Sequence, residues 1–192
     1  MIGTDIETLI KTRRTVRKFN QKPVTEDMLS CLVDAARFSA SAANLQPLKY
    51  ITVNDSKTNA LIFPHLKWAG YLKGYTLSEN ERPTAYILVL CDKNIKSGSL
   101  PEADAGAAIS NILLAAYAKG LGACWMGAVD REAVKEIIGI PDNMQLMYVI
   151  SLGYPAQEST AFDNTGDIKY FMDENGAIHV PKRPLNEILK HI

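Results

Sequence analysis

The sequence shows no excess of charge of either sign and has few residues of the kinds that build metal sites. Its 21 lysines and arginines balance 21 aspartates and glutamates, so the formal net charge is zero. This balance argues against a protein that binds nucleic acid through bulk positive charge. The three histidines are scattered, without His-Glu-x-x-His spacing, and no two cysteines are close in sequence. We therefore expect no dedicated metal site.

Long apolar runs are also missing. No stretch approaches the ~18 apolar residues that would span a bilayer, and the N-terminus lacks the pattern of a signal peptide. The three cysteines, Cys31, Cys91 and Cys124, are odd in number and lie in apolar surroundings. We expect them to be reduced and buried, as small hydrophobic residues of a cytoplasmic protein without a membrane partner.

Motifs for protein-borne catalysis are absent as well. There is no Gly-x-x-x-x-Gly-Lys-Ser/Thr phosphate loop and no Gly-x-Ser-x-Gly nucleophile motif. The glycine-rich segment GLGACWMG follows a helical pattern and misses the dinucleotide spacing. The sequence thus offers no evident nucleophile or acid–base pair.

Residues 1–192 read as one domain, because the chain is long enough for one hydrophobic core and shows no linker. Capping residues and apolar stripes predict helices that begin after Thr4, Thr25, Asp55 or Ser56, and Asp130. A longer helix, apolar around much of its circumference, is predicted over residues 105–119 and ends at Gly120. The first helix carries the stripe Ile6, Leu9 and Ile10.

Strands are predicted at residues 50–53, 85–90, 124–126 and 146–153, and the continuous apolar run 85–90 is expected at the centre of a sheet. Residues 64–83 are predicted to form a partly helical excursion. The tail after Pro155 shows no apolar stripe before Leu185. The alternation of helices and strands by itself favours a doubly wound α/β sheet, although the pattern does not reveal strand direction.

The most unusual feature is the basic stretch RRTVRKF at residues 13–19. Continued as a helix, it would be a solvated helix end with Arg13 and Arg17 on one face. If it is extended, Arg13, Thr15 and Arg17 point the same way, with the two arginines ~13 Å apart at ~3.3 Å per residue. The β-branched Thr15 and Val16 favour the extended form. One cation could then hold a phosphate while the other reaches the far end of a nucleotide-sized ligand.

Two further segments could contribute to such a site. In VPKRP, Lys182 and Arg183 lie between two prolines, and either the tail is solvated or it folds back to complete the phosphate site. In SASAANLQP, Ser41, Asn44 and Gln46 offer a hydroxyl and two amides among small residues. Taken alone, this second segment reads as an ordinary loop.

Together these segments resemble the nitroreductase family of FMN-dependent oxidoreductases. The resemblance spans nearly the whole chain and rests on five motifs in order: RRTVRKF, SASAANLQPLKY, GAAISNILLAAYAKGLGACWMG, LGYP and VPKRPLNEI. It implies an α+β fold with a mostly antiparallel central sheet flanked by helices, in place of the doubly wound sheet. It also implies an intertwined homodimer with two flavins at the interface, whose core is the long helix over residues 105–119.

The resemblance also assigns roles to site residues. Arg13, Arg14 and Thr15 would hold the phosphate and ribityl end of FMN, and Arg17 would lie near N1 and O2 of the flavin. A cation there stabilises the negative charge of the reduced flavin.

The remaining roles come from distant motifs. A C-terminal phosphate contact is implied for Lys182 and Arg183. Contacts supplied to the flavin by the partner chain are implied for Ser41, Asn44 and Gln46. A backbone segment facing the flavin ring, with an amide near N5, is implied for Trp125, Met126 and Gly127.

The implied activity is a two-step exchange in which NAD(P)H passes hydride to flavin N5 and leaves. An electron-poor acceptor, such as a nitroaromatic or a quinone, then takes its place. Three alternatives stay open: a specialised flavin enzyme such as a dehalogenase or a small-metabolite dehydrogenase, a non-catalytic FMN-binding or redox-sensing protein, and a basic module that binds nucleic acid.

Overall fold

The computed structural model describes residues 5–96 and 101–192. These residues form six α-helices, which are α1 Ile6–Thr12, α2 Glu26–Arg37, α3 Ser56–Ile62, α4 Pro101–Ala118, α5 Arg131–Ile138 and α6 Leu185–Ile188. They also form eight strands, which are β1 Phe19–Asn20, β2 Leu48–Val53, β3 Ala85–Asp92, β4 Gly122–Met126, β5 Met144–Pro155, β6 Ser159–Asp163, β7 Phe171–Met172 and β8 Ile178–Lys182.

The larger sheet is antiparallel throughout. Its order is β1-β5-β3-β2, and β4 pairs with β5. The long strand β5 is the hub of this sheet, because it pairs with β1, β3 and β4. The mixed content of helices and antiparallel strands confirms the α+β class and overturns the doubly wound alternative. That alternative required parallel strands, whose direction the helix–strand alternation cannot reveal.

Helices cover both faces of this sheet. Side chains of α2 and α4 share one buried cluster with one face of β3, and α3 and α5 join a second cluster on the other face. Strand β3 is buried at every position except its last, so the continuous run 85–90 is confirmed as a central strand. The sheet thus lies between two layers of helices.

Three of the predicted helix starts are confirmed by their caps. The side chains of Thr25, Asp55 and Asp130 accept hydrogen bonds from backbone N–H groups three residues further along the chain. The long helix α4 is confirmed, and Gly120 follows it with a left-handed φ of 77°. Thr4 lies outside the described residues, and the N-cap of α1 is Asp5. None of the described helices is long and apolar enough to cross a membrane.

Two expectations, the burial of Cys31 and the lack of structure in the tail, are wrong or incomplete. Cys31 is exposed, unlike Cys91 and Cys124, because it lies off the buried stripe of α2 formed by Leu29, Leu32 and Ala36. The predicted apolar stripe of α1 includes two exposed residues in the single chain, Ile6 at 68% and Ile10 at 54%.

The tail is also more structured than its sequence indicates. Strands β6, β8 and β7 form a second, three-stranded sheet in which β6 and β8 are parallel and β7 is antiparallel to β8. Residues 64–83 contain only short helical pieces, including the 3-10 turn Glu79–Glu81, as the prediction of a partly helical excursion requires.

Candidate functional site

The basic stretch is extended and lies along β4. Helix α1 ends at Thr12, and the chain then turns to an extended path at Arg13, with φ −58° and ψ 125°. Thr15 forms a parallel bridge with Ala123, and the Val16 N–H donates to the Ala123 carbonyl at 3.0 Å. The extended alternative is therefore the right one. It brings RRTVRKF beside the strand that carries Trp125 and Met126.

Two glycines allow this close approach. A Cβ on Gly122 would lie 2.8 Å from the Cβ of Val16, and a Cβ on Gly153 would lie 2.9 Å from the Phe19 side chain. Real Cβ atoms do not come this close without displacing a neighbour. The basic stretch can thus lie this close to β4 and β5 only because Gly122 and Gly153 have no side chain.

Arg13 and Arg14 lie at the C-terminus of α1. The Arg14 guanidinium donates to the carbonyls of Lys11 and Arg13, the latter at 2.7 Å. A cation at this position is stabilised by the negative end of the helix dipole. Arg13 is half-buried; burial, and then the neighbouring charge of Arg14, lower the pKa of its guanidinium. An anion placed here would meet two adjacent cations, and it would relieve the repulsion between them.

Arg17 is covered by an aromatic side chain from the tail. Its guanidinium carbon lies 4.6 Å from the centroid of the Tyr170 ring, a cation–π contact. The Tyr170 ring packs against Tyr71 of the excursion, with ring centroids 5.0 Å apart. The tail does return to the basic stretch, but by way of Tyr170. This residue is missing from the sequence-based site, and its only signal there is an aromatic residue in a polar tail.

The same region contains a buried thiol and a buried phenol. Burial raises the pKa of Cys124 to about 11, and the positive charge of Arg17 opposes this shift. Burial also raises the pKa of Tyr75, and Arg17 is among the groups that oppose it. Cys124 therefore remains a protonated thiol at neutral pH, and it is not poised as a nucleophile.

Trp125 is the exposed residue on β4, between the buried Cys124 and Met126. Its ring meets Tyr148 edge-on, with centroids 5.1 Å apart and an interplanar angle of 89°. Tyr148 in turn donates a short hydrogen bond to Glu102 on α4. The Trp125 ring is thus held by α4 and β5, whereas the backbone of residues 125–127 lies at the edge of the sheet next to the basic stretch.

Arg131 fixes the turn that follows β4. Its Nη2 donates to the carbonyls of Gly127 at 3.1 Å and Met147 at 2.9 Å, and its Nε donates to the Leu146 carbonyl at 3.2 Å. Sequence reasoning did not single out Arg131, because an arginine in the first turn of a helix has no distinctive pattern. Its role here is to hold the segment that contains Gly127.

The SASAANLQP segment is an unusual loop. Three of its residues that are not glycine have left-handed backbone conformations: Ala43 at φ 51°, Asn44 at 53° and Gln46 at 51°. The Asn44 side-chain oxygen accepts from Gln46 Nε2 at 3.1 Å. Both of these side chains are exposed, and Ser41 is half-buried. The loop therefore presents amide groups to the outside of the chain from a backbone that is not at its local optimum.

A buried carboxylate anchors this loop to α4. Asp104 accepts from the Ser41 hydroxyl at 2.7 Å and from the Ala42 N–H at 3.1 Å. A cavity of about 350 Å³ adjoins this anchor and is lined by α2, β2 and the loop. Asp104 also is missing from the sequence-based site, although an acidic residue flanked by alanines in an apolar helix is a usable signal.

Lys182 and Arg183 stand apart from the other predicted residues. Both are exposed at the end of β8, and Arg183 Nη1 donates to Glu187 Oε2 at 3.4 Å. Strand β8 belongs to the three-stranded sheet, whereas the basic stretch lies against β4 of the larger sheet. The single chain thus assembles two patches, namely the basic stretch with β4, and the loop 41–46 with Asp104.

The donor set suits an elongated ligand with an anionic end. The basic stretch offers guanidinium groups and a hydroxyl along one edge of β4, and the adjacent strand offers backbone groups and an exposed indole. Guanidinium groups bind phosphate oxygens in pairs, and aromatic faces and strand edges accommodate planar rings. No step that needs a protein nucleophile is supported by these groups.

Comparison with known proteins identifies the family of this chain. The profile of the Nitroreductase family matches residues 10–154. A Methanothermobacter thermautotrophicus protein named as an NADH dehydrogenase/NAD(P)H nitroreductase is 34% identical over 158 residues, which cover 80% of this chain and 78% of that protein. A protein of the same description from Archaeoglobus fulgidus is 30% identical over 161 residues, covering 81% and 88%.

Solved structures show the same fold. A nitroreductase from Desulfovibrio desulfuricans in complex with FMN has a TM-score of 0.74 at 22% identity, covering 99% of this chain and 98% of that one. Because the family profile covers most of the chain and the relatives are similar along most of their length, the protein belongs to the nitroreductase family.

Proposed function

We propose that this protein is an FMN-dependent oxidoreductase that takes hydride from NADH or NADPH and delivers electrons to an electron-poor acceptor such as a nitroaromatic or a quinone. The observation that carries the proposal is the extended path of residues 13–17 beside β4, fixed by the Val16–Ala123 hydrogen bond. It places cations, a hydroxyl and a strand edge along one line. FMN has the same order of features, from an anionic phosphate to a planar ring.

The residues of the basic stretch divide the work of binding. Arg13 and Arg14 would hold the phosphate, with Thr15 adding a hydroxyl, and Arg17 would place its charge at the pyrimidine end of the ring. Trp125, Met126 and Gly127 would present backbone groups to the ring. Bound FMN would supply the chemistry, by accepting hydride at N5 and passing the electrons to the acceptor in a ping-pong exchange.

A second chain completes this site in the proposal. The loop side chains of Ser41, Asn44 and Gln46 would reach the flavin of the partner subunit. The tail residues Lys182 and Arg183 would add the remaining phosphate contact, from whichever chain brings the tail to the phosphate. Two observations support a homodimer. The loop presents its amides away from its own chain, and α1 exposes the apolar side chains of Ile6 and Ile10. A second copy of the chain would cover these side chains.

The protein's own residues need only bind, orient and shield. Cys124 is not poised as a nucleophile, because burial raises the pKa of its thiol to about 11 and keeps it protonated. The Tyr170 ring lies against Arg17 and packs on Tyr71, and these two rings would limit access of water to the pyrimidine end.

Stopped-flow mixing of the FMN-loaded protein with NADH and with NADPH tests the activity. We expect at least one donor to bleach the flavin absorbance in a single turnover, and we expect a quinone or a nitroaromatic added afterwards to restore it. Bound flavin that neither donor reduces would overturn the enzymatic proposal and favour a flavin-binding sensor.

A further inference from the structure

A buried ion pair lies beneath the loop 41–46. The Asp104 side chain is 5% exposed and that of Lys96 is 6% exposed, with Lys96 Nζ 3.8 Å from Asp104 Oδ2. Within residues 5–96 and 101–192, Lys96 Nζ has no hydrogen-bond partner. Burying two charges is unfavourable, and a pair of apolar side chains would usually serve stability at least as well. The pair therefore calls for an explanation other than stability.

The two oxygens of Asp104 are both used by the loop. Oδ2 accepts from the Ser41 hydroxyl and Oδ1 accepts from the Ala42 N–H, so one carboxylate holds two consecutive residues. Ser41 Oγ then accepts from the Gln46 N–H at 3.0 Å, which closes the loop. This chain of hydrogen bonds connects a fixed point on α4 to the far end of the loop.

The loop needs such an anchor. Ala43, Asn44 and Gln46 all occupy the left-handed region, which is unfavourable for residues with a side chain and most clearly so for alanine. Without Asp104, the backbone would relax towards more favourable conformations, and the amides of Asn44 and Gln46 would change direction. Lys96 Nζ lies 3.8 Å from Asp104 Oδ2, so its positive charge faces the carboxylate that holds the loop, and charge-assisted hydrogen bonds are stronger than neutral ones.

We propose that Asp104 and Lys96 are positioning residues that preorganise the loop 41–46 to bind the ring of FMN. This inference rests on the proposed function. It assigns a role to two residues that touch no ligand themselves, and it names the isoalloxazine ring as the part of the cofactor that depends on them. A loop held in its binding conformation before the ligand arrives loses less entropy on binding.

The test compares two ligands with the same ring. The Asp104→Asn variant, the Lys96→Met variant and the double variant are titrated with FMN and with riboflavin, which lacks the phosphate. We expect each variant to bind both ligands about tenfold more weakly, an effect as large as the loss of one hydrogen bond within the loop. Arg183→Ala, a variant at the proposed phosphate contact, should weaken the binding of FMN but not that of riboflavin. The double variant carries no unpaired buried charge, so it remains informative if a single variant does not fold.

A control separates positioning from general stability. Asn59 is another buried polar residue, which lies on α3 and not in the loop. Its Nδ2 donates to the Thr84 carbonyl at 2.9 Å. We expect Asn59→Ala to lower the melting temperature without changing the affinity for riboflavin. Hydrogen exchange should be faster at the amides of Ala42 and Gln46 in the Asp104 and Lys96 variants only.

The outcomes distinguish this inference from the proposed function. If the wild-type protein takes up neither flavin, the proposed function is wrong. Suppose that the wild-type protein binds FMN, that the double variant binds riboflavin as tightly as the wild type does, and that its loop amides exchange at the wild-type rate. The positioning role is then wrong, and the proposed function stands.

Discussion

The guanidinium carbon of Arg17 lies 4.6 Å from the centroid of the Tyr170 ring. Tyr170 belongs to the tail, and it also packs against Tyr71 of the excursion. Tyr170 therefore links the basic stretch to the excursion, although the three segments are far apart in sequence. These two contacts hold Tyr170 of the tail next to the proposed flavin site.

Replacing Arg17 by glutamine should make the bound flavin harder to reduce. A cation near the pyrimidine end stabilises the negative charge of the reduced form, so its removal should lower the midpoint potential. A charged hydrogen bond contributes about 1.5–3 kcal/mol, which for a two-electron couple corresponds to a decrease of roughly 30–65 mV. The measurement is a spectroscopic redox titration of the FMN-loaded protein. Lys57→Gln on α3 is the charge-matched control, and an equal potential in Arg17→Gln and wild type would contradict the assignment.

Replacing Arg183 by alanine should weaken FMN binding by roughly 10- to 150-fold, the range expected for the loss of a charged hydrogen bond. Fluorescence titration of the apoprotein measures this affinity. The matched control is Glu187→Gln, which removes the 3.4 Å partner of Arg183 but leaves the cation, and which should not weaken binding. If Arg183→Ala binds FMN as tightly as wild type, the tail has no part in the phosphate site.

Replacing Gly122 by alanine should destabilise the protein and displace the basic stretch. The added Cβ would lie 2.8 Å from Val16 Cβ, and overpacking of this kind typically costs about 1–3 kcal/mol. Urea unfolding gives the change in free energy, and FMN affinity should fall in the same variant. Gly70→Ala is the control, because no atom lies within 4 Å of its added Cβ and its φ is ordinary. Equal stability of the Gly122 and Gly70 variants would show that the stretch does not lie against β4.

The ion pair between Lys18 and Glu81 should make stability depend on pH. The two groups are 2.7 Å apart, and the hydrogen bond from Lys18 is the main cause that lowers the pKa of Glu81 below its ordinary 4.5. Because the folded-state pKa is the lower one, the pair stabilises the fold above pH 4.5 and this contribution disappears as the pH falls through the folded-state value. The Glu81→Gln variant should therefore have a free energy of unfolding up to about 1 kcal/mol below that of the wild type at neutral pH, and the two values should become equal in acid.

The neighbouring Glu79 provides the control for this pH effect. Its side chain is 87% exposed and its oxygen lies 3.8 Å from Arg82. Glu79→Gln should leave the unfolding free energy within about 0.5 kcal/mol of wild type at every pH. A Glu81→Gln deficit that persists in acid would mean that the side chain acts through packing and not through its charge.

Features of the fold that depend on residues close together in the sequence could be predicted from the sequence. The caps at Thr25, Asp55 and Asp130 and the buried run 85–90 follow local patterns, and the structure confirms each of them. Strand direction required the family resemblance. Strands β6 to β8 escaped prediction because they are short and only Ile178 and Pro181 among their residues are buried, so no regular alternation of apolar and polar residues marks them.

The candidate site divides in the same way. The extended form of residues 13–17 was favoured by the β-branched Thr15 and Val16, which are local features. Asp104 and Tyr170 act through contacts with residues far along the chain, and 63 residues separate Asp104 from Ser41. Cys31 shows the related limit for burial, since apolar neighbours in sequence do not reveal which face of α2 a residue occupies.

The most direct test of the whole account is the cofactor content of the purified protein. We expect a yellow protein with a flavin absorption spectrum, from which heat releases FMN that chromatography identifies at about one molecule per chain, the occupancy of a single tight site. A colourless protein that also takes up no added FMN would contradict the account.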